Sequence, residues 1–356
     1  MTVERYHRRQ GGDALEVAYP PAGRGARCEE GMTGWGHRWS GMHAPRKLIV
    51  DVDTGLDDAI ALTYLFSSPT LQPLAVTCVA GNTDLDAVTH NTLGVLEALG
   101  AEVPVAAGAA TALNGSQVRA PAVHGESGLG SMQLDPGRRA LADESALDLT
   151  CRLIADSVEP VHLLALGPLT NVARFVTMCP DHAKRVASIF IMGGSAFAGG
   201  NQTATSEFNF FVDPEAADQV LRSGLPITVY GLDVFYEPAL DKIRLEALLA
   251  AQAPAARLAG AFADELRTVF DADRGPLGDG GAAVAFDHSE LLTVGPTQVA
   301  VECEGRHTRG AMVVDRRPSD MRAVVLDGSE VLVATGIDGE GIASRFTSMV
   351  SQGEVR

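Results

Sequence analysis

The chain has 356 residues, 46% of them apolar, with a formal net charge of −17. That length suits one large α/β domain or two small ones. The charge argues against nucleic acid or an anionic membrane as partner, since both select a positive surface. Only Lys47, Lys184 and Lys242 are lysines, so the positive charge is nearly all arginine. No apolar run reaches the roughly 20 residues of a membrane helix, and no N-terminal run has the form of a signal peptide. Export is therefore not expected, and a cytoplasmic protein is. Five cysteines (Cys28, Cys78, Cys151, Cys179, Cys303) lack paired metal spacing and read as buried free thiols in a reducing compartment.

Residues 1–45 are rich in Gly and Arg, hold both tryptophans (Trp35, Trp39) and show no sustained period. They are expected to be a poorly ordered extension, with Met42 an alternative start. From 46 onward, short β-branched runs alternate with helical patterns, and residues 46–356 read as a single domain. Strands are predicted at 47–52, 73–79, 162–166, 186–192 and 226–231. They are apolar throughout, as in strands buried on both faces of a parallel sheet. Helices are predicted at 57–67, 84–99, 145–158 and 213–223, the last opened by Asp213-Pro214-Glu215. Alternation of this kind predicts a doubly wound, mostly parallel sheet with helices on both faces. No repeat of 20–50 residues is visible.

Such sheets bind ligands beyond the carboxyl ends of their strands, so the residues after each strand are the candidates. The first strand runs into Asp51-Val52-Asp53-Thr54-Gly55-Leu56-Asp57-Asp58. A lone aspartate there is usually a helix cap, but capping uses one or two carboxylates and this stretch has four. A hard divalent cation with oxygen ligands would relieve their repulsion. The second strand is followed by Gly81-Asn82, where Asn82 alone would read as a turn residue. Strand 162–166 leads into Gly167-Pro168-Leu169-Thr170-Asn171, and 186–192 ends in Met192-Gly193-Gly194. Asn201 follows, alone an ordinary turn residue, and then Glu207-Phe208-Asn209, where alternation points the two polar side chains the same way in extended chain. Asp279 stands in a glycine-rich loop before an apolar helix over 282–286; it reads either as a cap or as a site residue approached closely by backbone or ligand. His124, in His124-Gly125-Glu126-Ser127-Gly128, is either a lid residue or a solvated loop histidine. Carboxylates and carboxamides on one rim suit a metal and a polyhydroxylated ligand.

Taken in order, these segments resemble the inosine–uridine-preferring nucleoside hydrolase family. Asp51-Val52-Asp53-Thr54-Gly55-Leu56-Asp57-Asp58-Ala59 is similar to its signature, with Thr54 where proline is commoner. Further matches are Val79-Ala80-Gly81-Asn82, His124-Gly125-Glu126-Ser127-Gly128, Gly167-Pro168-Leu169-Thr170-Asn171, Ile191-Met192-Gly193-Gly194, and Asn201 through Glu207-Phe208-Asn209 to Asp213-Pro214-Glu215-Ala216-Ala217. The resemblance implies a Ca²⁺-dependent ribonucleoside N-glycohydrolase of nucleoside salvage, acting on a small molecule and assembled as a dimer or tetramer. It implies calcium held by Asp53, Asp58, Asp279 and the Leu166 carbonyl, with Asp53 as the base that deprotonates the attacking water. Asp57 and Asn209 would hold the ribose 2′- and 3′-hydroxyls with Asn82 nearby, Glu207 and Asn201 the 5′ end, and Met192 and His124 would complete the substrate contacts.

One departure stands out. Several members of that family carry a histidine, and another branch a tryptophan, directly before the last metal-binding aspartate; here that position is Gly278. The acid for the leaving base is missing from its expected place, with Arg274 and His288 as possible substitutes and Phe270 near the base pocket. Three other readings follow: a nucleoside binder without turnover, a hydrolase of an unusual ribosyl substrate, and a haloacid-dehalogenase-type phosphohydrolase. The last requires a shifted register at Asp51-Val52-Asp53-Thr54 and a lysine after a strand, whereas Lys184 precedes one.

Overall fold

The computed structural model describes residues 44–317, 324–352 and 355. The expectation for the extension therefore lies outside the described residues, except for Ala44 and Pro45, which lead into the first strand. Six strands come in chain order: β1 (Arg46–Val52), β2 (Leu71–Cys78), β3 (Val105–Ala107), β4 (Val161–Ala165), β5 (Val186–Met192) and β6 (Ile227–Tyr230). A small antiparallel pair follows, β7 (Ala239–Leu240) with β8 (Gly275–Pro276), and then β9 (Leu292–Val301), β10 (Met312–Val314) and β11 (Ser329–Ile337).

The large sheet has the order β10-β9-β11-β6-β5-β4-β1-β2-β3. The seven strands from β3 across to β11 are parallel. Only β9 runs antiparallel to its neighbours. The chain winds from β1 outward to β2 and β3, then crosses back to place β4 on the other side of β1. That reversal opens a crevice between the carboxyl ends of β1 and β4, where doubly wound sheets take ligands.

Alternation along β1 explains the two cores. Leu48, Val50 and Val52 face one layer, which includes Leu62 and Phe262, while Ile49 faces the other, which includes Leu163 and Phe175. In the helix Leu56–Ser67 every residue except Asp57 is buried. The helices Pro254–Val269 and Asp279–Asp287 pack against it. An apolar helix covered on all sides holds its first turn rigidly, and that turn carries Asp57 and Asp58.

The five predicted strands and the helices 57–67, 84–99, 145–158 and 213–223 occur within two residues of their expected bounds. The antiparallel margin was not foreseen. Pro296 sits mid-strand in β9, opposite Leu332. β10 covers only Val299–Val301 of β9, leaving an open edge at Pro296 that tolerates a missing N–H.

The thiol reading needs correction. Cys151 and Cys179 form a disulfide, while Cys78 is free and buried and Cys303 free and half-buried; Cys28 lies outside the described residues. Spacing in sequence could not pair Cys151 with Cys179, because a whole βα crossover separates them.

Candidate active site

Past Val52 the chain turns through Asp53, Thr54 and Gly55 before the helix begins at Leu56. Asp58, one turn into that helix, folds back over it: Gly55 N donates to its Oδ2 (2.9 Å) and Asp53 N to its Oδ1 (3.3 Å). Asn82, just beyond β2, ties the same loop, donating its backbone N–H to Asp53 Oδ2 (2.7 Å) and its side-chain amide to Asp58 Oδ2 (3.2 Å). Gly81 is required here because a β-carbon would run into Asp53 Oδ2. On the other flank, a β-carbon on Gly167 would lie 2.7 Å from Asp53 Oδ1. Asp53 is thus clasped between the loops after β2 and β4.

Asp51 does not belong to this group. It points into the opposite layer, where Thr77 Oγ1 (2.5 Å) and Asn171 Nδ2 (2.8 Å) donate to its Oδ1. Its role is structural, and the four-aspartate count in the sequence reduces to three at the rim.

Asp279 joins those three from far along the chain. The β7–β8 pair and the bond from Leu277 N to Pro238 O (3.1 Å) fix the approach to its helix. Oxygens of Asp57, Asp58 and Asp279 all lie within 4.8 Å of one another. Asp57 Oδ1 and Asp279 Oδ1 are buried without any hydrogen-bond partner. Burial pushes the carboxyls of Asp57 and Asp58 up to about 6 and those of Asp53 and Asp279 well above their usual range. Neighbouring charge adds to this: Asp58 acts on Asp53, and Asp57 acts on Asp58 and Asp279. Among the described residues, no lysine or arginine pairs with any of the four. Orphaned, mutually repelling carboxylate oxygens are the donor set that a hard divalent cation satisfies, so these residues fit a metal ion.

The nearest basic group is His124, with Nδ1 4.0 Å from Asp57 Oδ1. Its Nδ1 accepts a hydrogen bond from Leu56 N (3.1 Å), and burial lowers its pKa to about 4. The ring is therefore neutral, with its proton on Nε2. Of the two expectations for His124, the solvated loop histidine is excluded.

The second half of the rim comes from β4, β5 and the short helix Phe208–Val212. Asn209 Nδ2 donates to the carbonyls of Leu166 (2.7 Å) and Met192 (3.1 Å). Glu207 caps the short helix: Oε1 accepts from Asn209 N (2.9 Å), and Oε2 accepts from Gly194 N (2.9 Å) and Phe210 N (3.1 Å). Burial raises the Glu207 carboxyl to about 7 against these bonds, and Asp57 contributes repulsion. Asn201 is the outlier. It is exposed, and its Oδ1 accepts from Phe208 N (2.9 Å), which orients the loop.

The structure thus gathers Asp53, Asp57, Asp58, Asn82, His124, Leu166, Met192, Glu207, Asn209 and Asp279 on one rim, with Asn201 at its edge. Arg274 and His288 are engaged elsewhere. Arg274 donates to the Ala239 carbonyl (2.6 Å), and His288 pairs with Glu290 (3.0 Å) at the far end of the helix Asp279–Asp287. Phe270 packs, partly buried, against the core.

Sequence reasoning missed Asn91 and Thr92, both buried on the helix Leu85–Leu99. Asn91 Nδ2 donates to Thr54 O (3.2 Å) and Ser127 O (2.7 Å), joining the aspartate turn to the His124 loop. Thr92 Oγ1 bonds the Thr54 hydroxyl at 2.7 Å, which accounts for a polar residue where proline is commoner. The run of polar residues Thr89-His90-Asn91-Thr92 within this helix, of which Thr89, Asn91 and Thr92 are buried, was the available signal.

Residues 48–344 match the family model of the inosine-uridine preferring nucleoside hydrolase. The chain is 37% identical over 278 residues to the pyrimidine-specific ribonucleoside hydrolase RihA of Shewanella woodyi, covering 76% of this chain and 88% of that one. The same enzyme of Photobacterium profundum is 36% identical, covering 76% and 89%. Among solved structures, a plant nucleoside hydrolase superposes with a TM-score of 0.78 at 31% identity, over 86% of this chain and 99% of the other. A purine-preferring ribonucleoside hydrolase from Gardnerella vaginalis does so with 0.77 at 28%, over 86% and 98%. With its sheet order, its rim of carboxylates and this extent of similarity, the chain belongs to the inosine-uridine preferring nucleoside hydrolase family.

Proposed function

We propose that this enzyme hydrolyses the N-glycosidic bond of ribonucleosides to free nucleobase and ribose, with calcium as its metal. Family membership makes it an enzyme acting on N-glycosyl bonds. The observation that carries the finer reading is the buried carboxylate group at the switch point with two partnerless oxygens. Asp53, Asp58, Asp279 and the Leu166 carbonyl would hold the cation, the last using its second lone pair beside the Asn209 bond. When bound, the ion acidifies adjacent water and offsets the clustered negative charge.

Asp53 is the proposed general base. Its Oδ2 is fixed by Asn82 N, so the carboxylate is pre-aimed at the water it would deprotonate. Asp57, Asn82 and Asn209 hold the 2′- and 3′-hydroxyls, while Glu207, Asn201 and Met192 line the 5′ side. Fixing the furanose at several hydroxyls removes rotational freedom before the bond breaks. Bond cleavage gives the sugar oxocarbenium character, which neighbouring carboxylates favour electrostatically. His124 would present its Nε2–H to the substrate. The phosphohydrolase reading finds no support in this family, and names among the relatives range from pyrimidine-specific to purine-preferring, so the base stays unassigned.

The test is release of base and ribose from inosine, adenosine, guanosine, uridine and cytidine with calcium present, with 2′-deoxyinosine as control. Release from ribonucleosides but not the deoxy analogue is expected, because a missing hydroxyl leaves buried polar groups unpaired. Equal rates on both would refute the proposed ribose contacts.

A further inference from the structure

A second group of metal-ligating side chains lies apart from the acidic rim. Cys151 is on the helix Ala146–Asp156, and Cys179 ends the helix Thr170–Met178. His182 follows in the short helix Pro180–Ala183. The helix Thr170–Met178 leaves the carboxyl end of β4 and must return to the amino end of β5, because those strands are parallel. Cys179 and His182 therefore sit at the amino-terminal edge of the sheet, the edge opposite Asp53 and Asp279. The sulfurs of Cys151 and Cys179 and a ring nitrogen of His182 all lie within 4.8 Å of one another, and all three residues are half-buried.

We propose that the disulfide Cys151–Cys179 is one of two states of this site, and that its reduced form, with His182, binds a thiophilic divalent cation of the zinc type. Two thiolates and an imidazole are ligands such an ion prefers, and they differ in kind from the all-oxygen set at the acidic rim. Three protein ligands leave the fourth tetrahedral position to water. Reduction by a dithiol transfers two electrons and two protons to the bridge, giving two protein thiols and the oxidised dithiol. Binding the cation then releases the two thiol protons to solvent. Bonds of about 2.3 Å to a tetrahedral ion require the sulfurs to part to roughly 3.8 Å. The Cα atoms are 6.8 Å apart, at the outer limit for a bridged pair, so side-chain rotation can supply that separation without moving the helices. The two states exclude each other, since a bridged sulfur is not a thiolate.

The experiment titrates full-length protein with Co²⁺, once after reduction and metal stripping and once oxidised. The reduced protein should show a thiolate-to-cobalt charge-transfer band, which oxygen ligands at the acidic rim do not produce, and which Zn²⁺ should abolish. The oxidised protein should lack it, as should a Cys151→Ser/Cys179→Ser double variant that keeps wild-type nucleoside hydrolysis. His182→Ala should retain the band with affinity reduced at least tenfold, about 1.4 kcal/mol. No band in the reduced protein, or an unchanged band in the double variant (which retains Cys28, Cys78 and Cys303), would overturn the site. Unchanged affinity in His182→Ala would remove the histidine from it.

Discussion

Gly278 and Asp57 share one small volume: a β-carbon on Gly278 would lie 2.6 Å from the Asp57 Cβ and 2.7 Å from its Oδ2. Gly278 also has φ of +51°, a left-handed conformation that side chains disfavour. The glycine is thus the residue that lets Asp57 approach Asp279.

Gly278→Ala is expected to lower kcat/KM by roughly tenfold or more and stability by about 1–2 kcal/mol, from backbone strain and the displaced carboxylate. Gly278→His, which installs the residue common in the family, should be no better. A histidine variant that turned over faster than wild type would refute this steric account.

Asp53→Asn should reduce kcat by about 10²–10⁴-fold while leaving the melting temperature nearly unchanged, since Asn82 N can still donate to the amide oxygen. Asp279→Ala should instead weaken calcium binding roughly tenfold or more, read by calorimetric titration. Equal calcium affinity in wild type and Asp279→Ala would exclude that residue as a ligand.

His124 has two separable roles. His124→Ala leaves Leu56 N–H without its acceptor, which should cost about 1 kcal/mol in urea denaturation. It should also lower kcat/KM about a hundredfold through the lost substrate contact. A variant with the stability loss and normal kinetics would reduce His124 to a helix cap.

At the other end of the sheet, Asp287 accepts from Arg46, Tyr64, Ser68 and Thr70. Arg46 also donates to the carbonyls of Phe286 and Asp287, and its guanidinium lies 4.6 Å from the Phe286 ring. Arg46→Ala should destabilise by about 1–3 kcal/mol, because Asp287 would stay buried with less compensation. Steady-state kinetics should remain within about twofold of wild type. A large change in kcat would mean this network reaches the site.

Five parallel strands and the helices between them were legible because their signal is local: apolar runs of strand length, a capping Asp-Pro, and alternation that forces crossovers. The carboxylate rim was also legible, since the topology alone places strand ends together. Asp51 was misjudged for a physical reason. It lies on the strand itself, where alternation and the donors Thr77 and Asn171 turn it to the other face.

Pairings between distant segments were decided only by packing. Cys151 meets Cys179, Asn91 links Thr54 to Ser127, and Gly278 yields its side-chain space to Asp57 because helices and crossovers bring them together. By itself the sequence determined the strands and helices that carry Asp53, Asp57, Asp58 and Asn82 to the carboxyl ends of β1 and β2, because those follow from local period, while the roles expected of these side chains came from the family resemblance. Which carboxylate oxygens remain partnerless, and where a side chain can fit, was decided by the tertiary structure, since both depend on contacts between residues up to about 220 positions apart, such as Asp57 and Asp279.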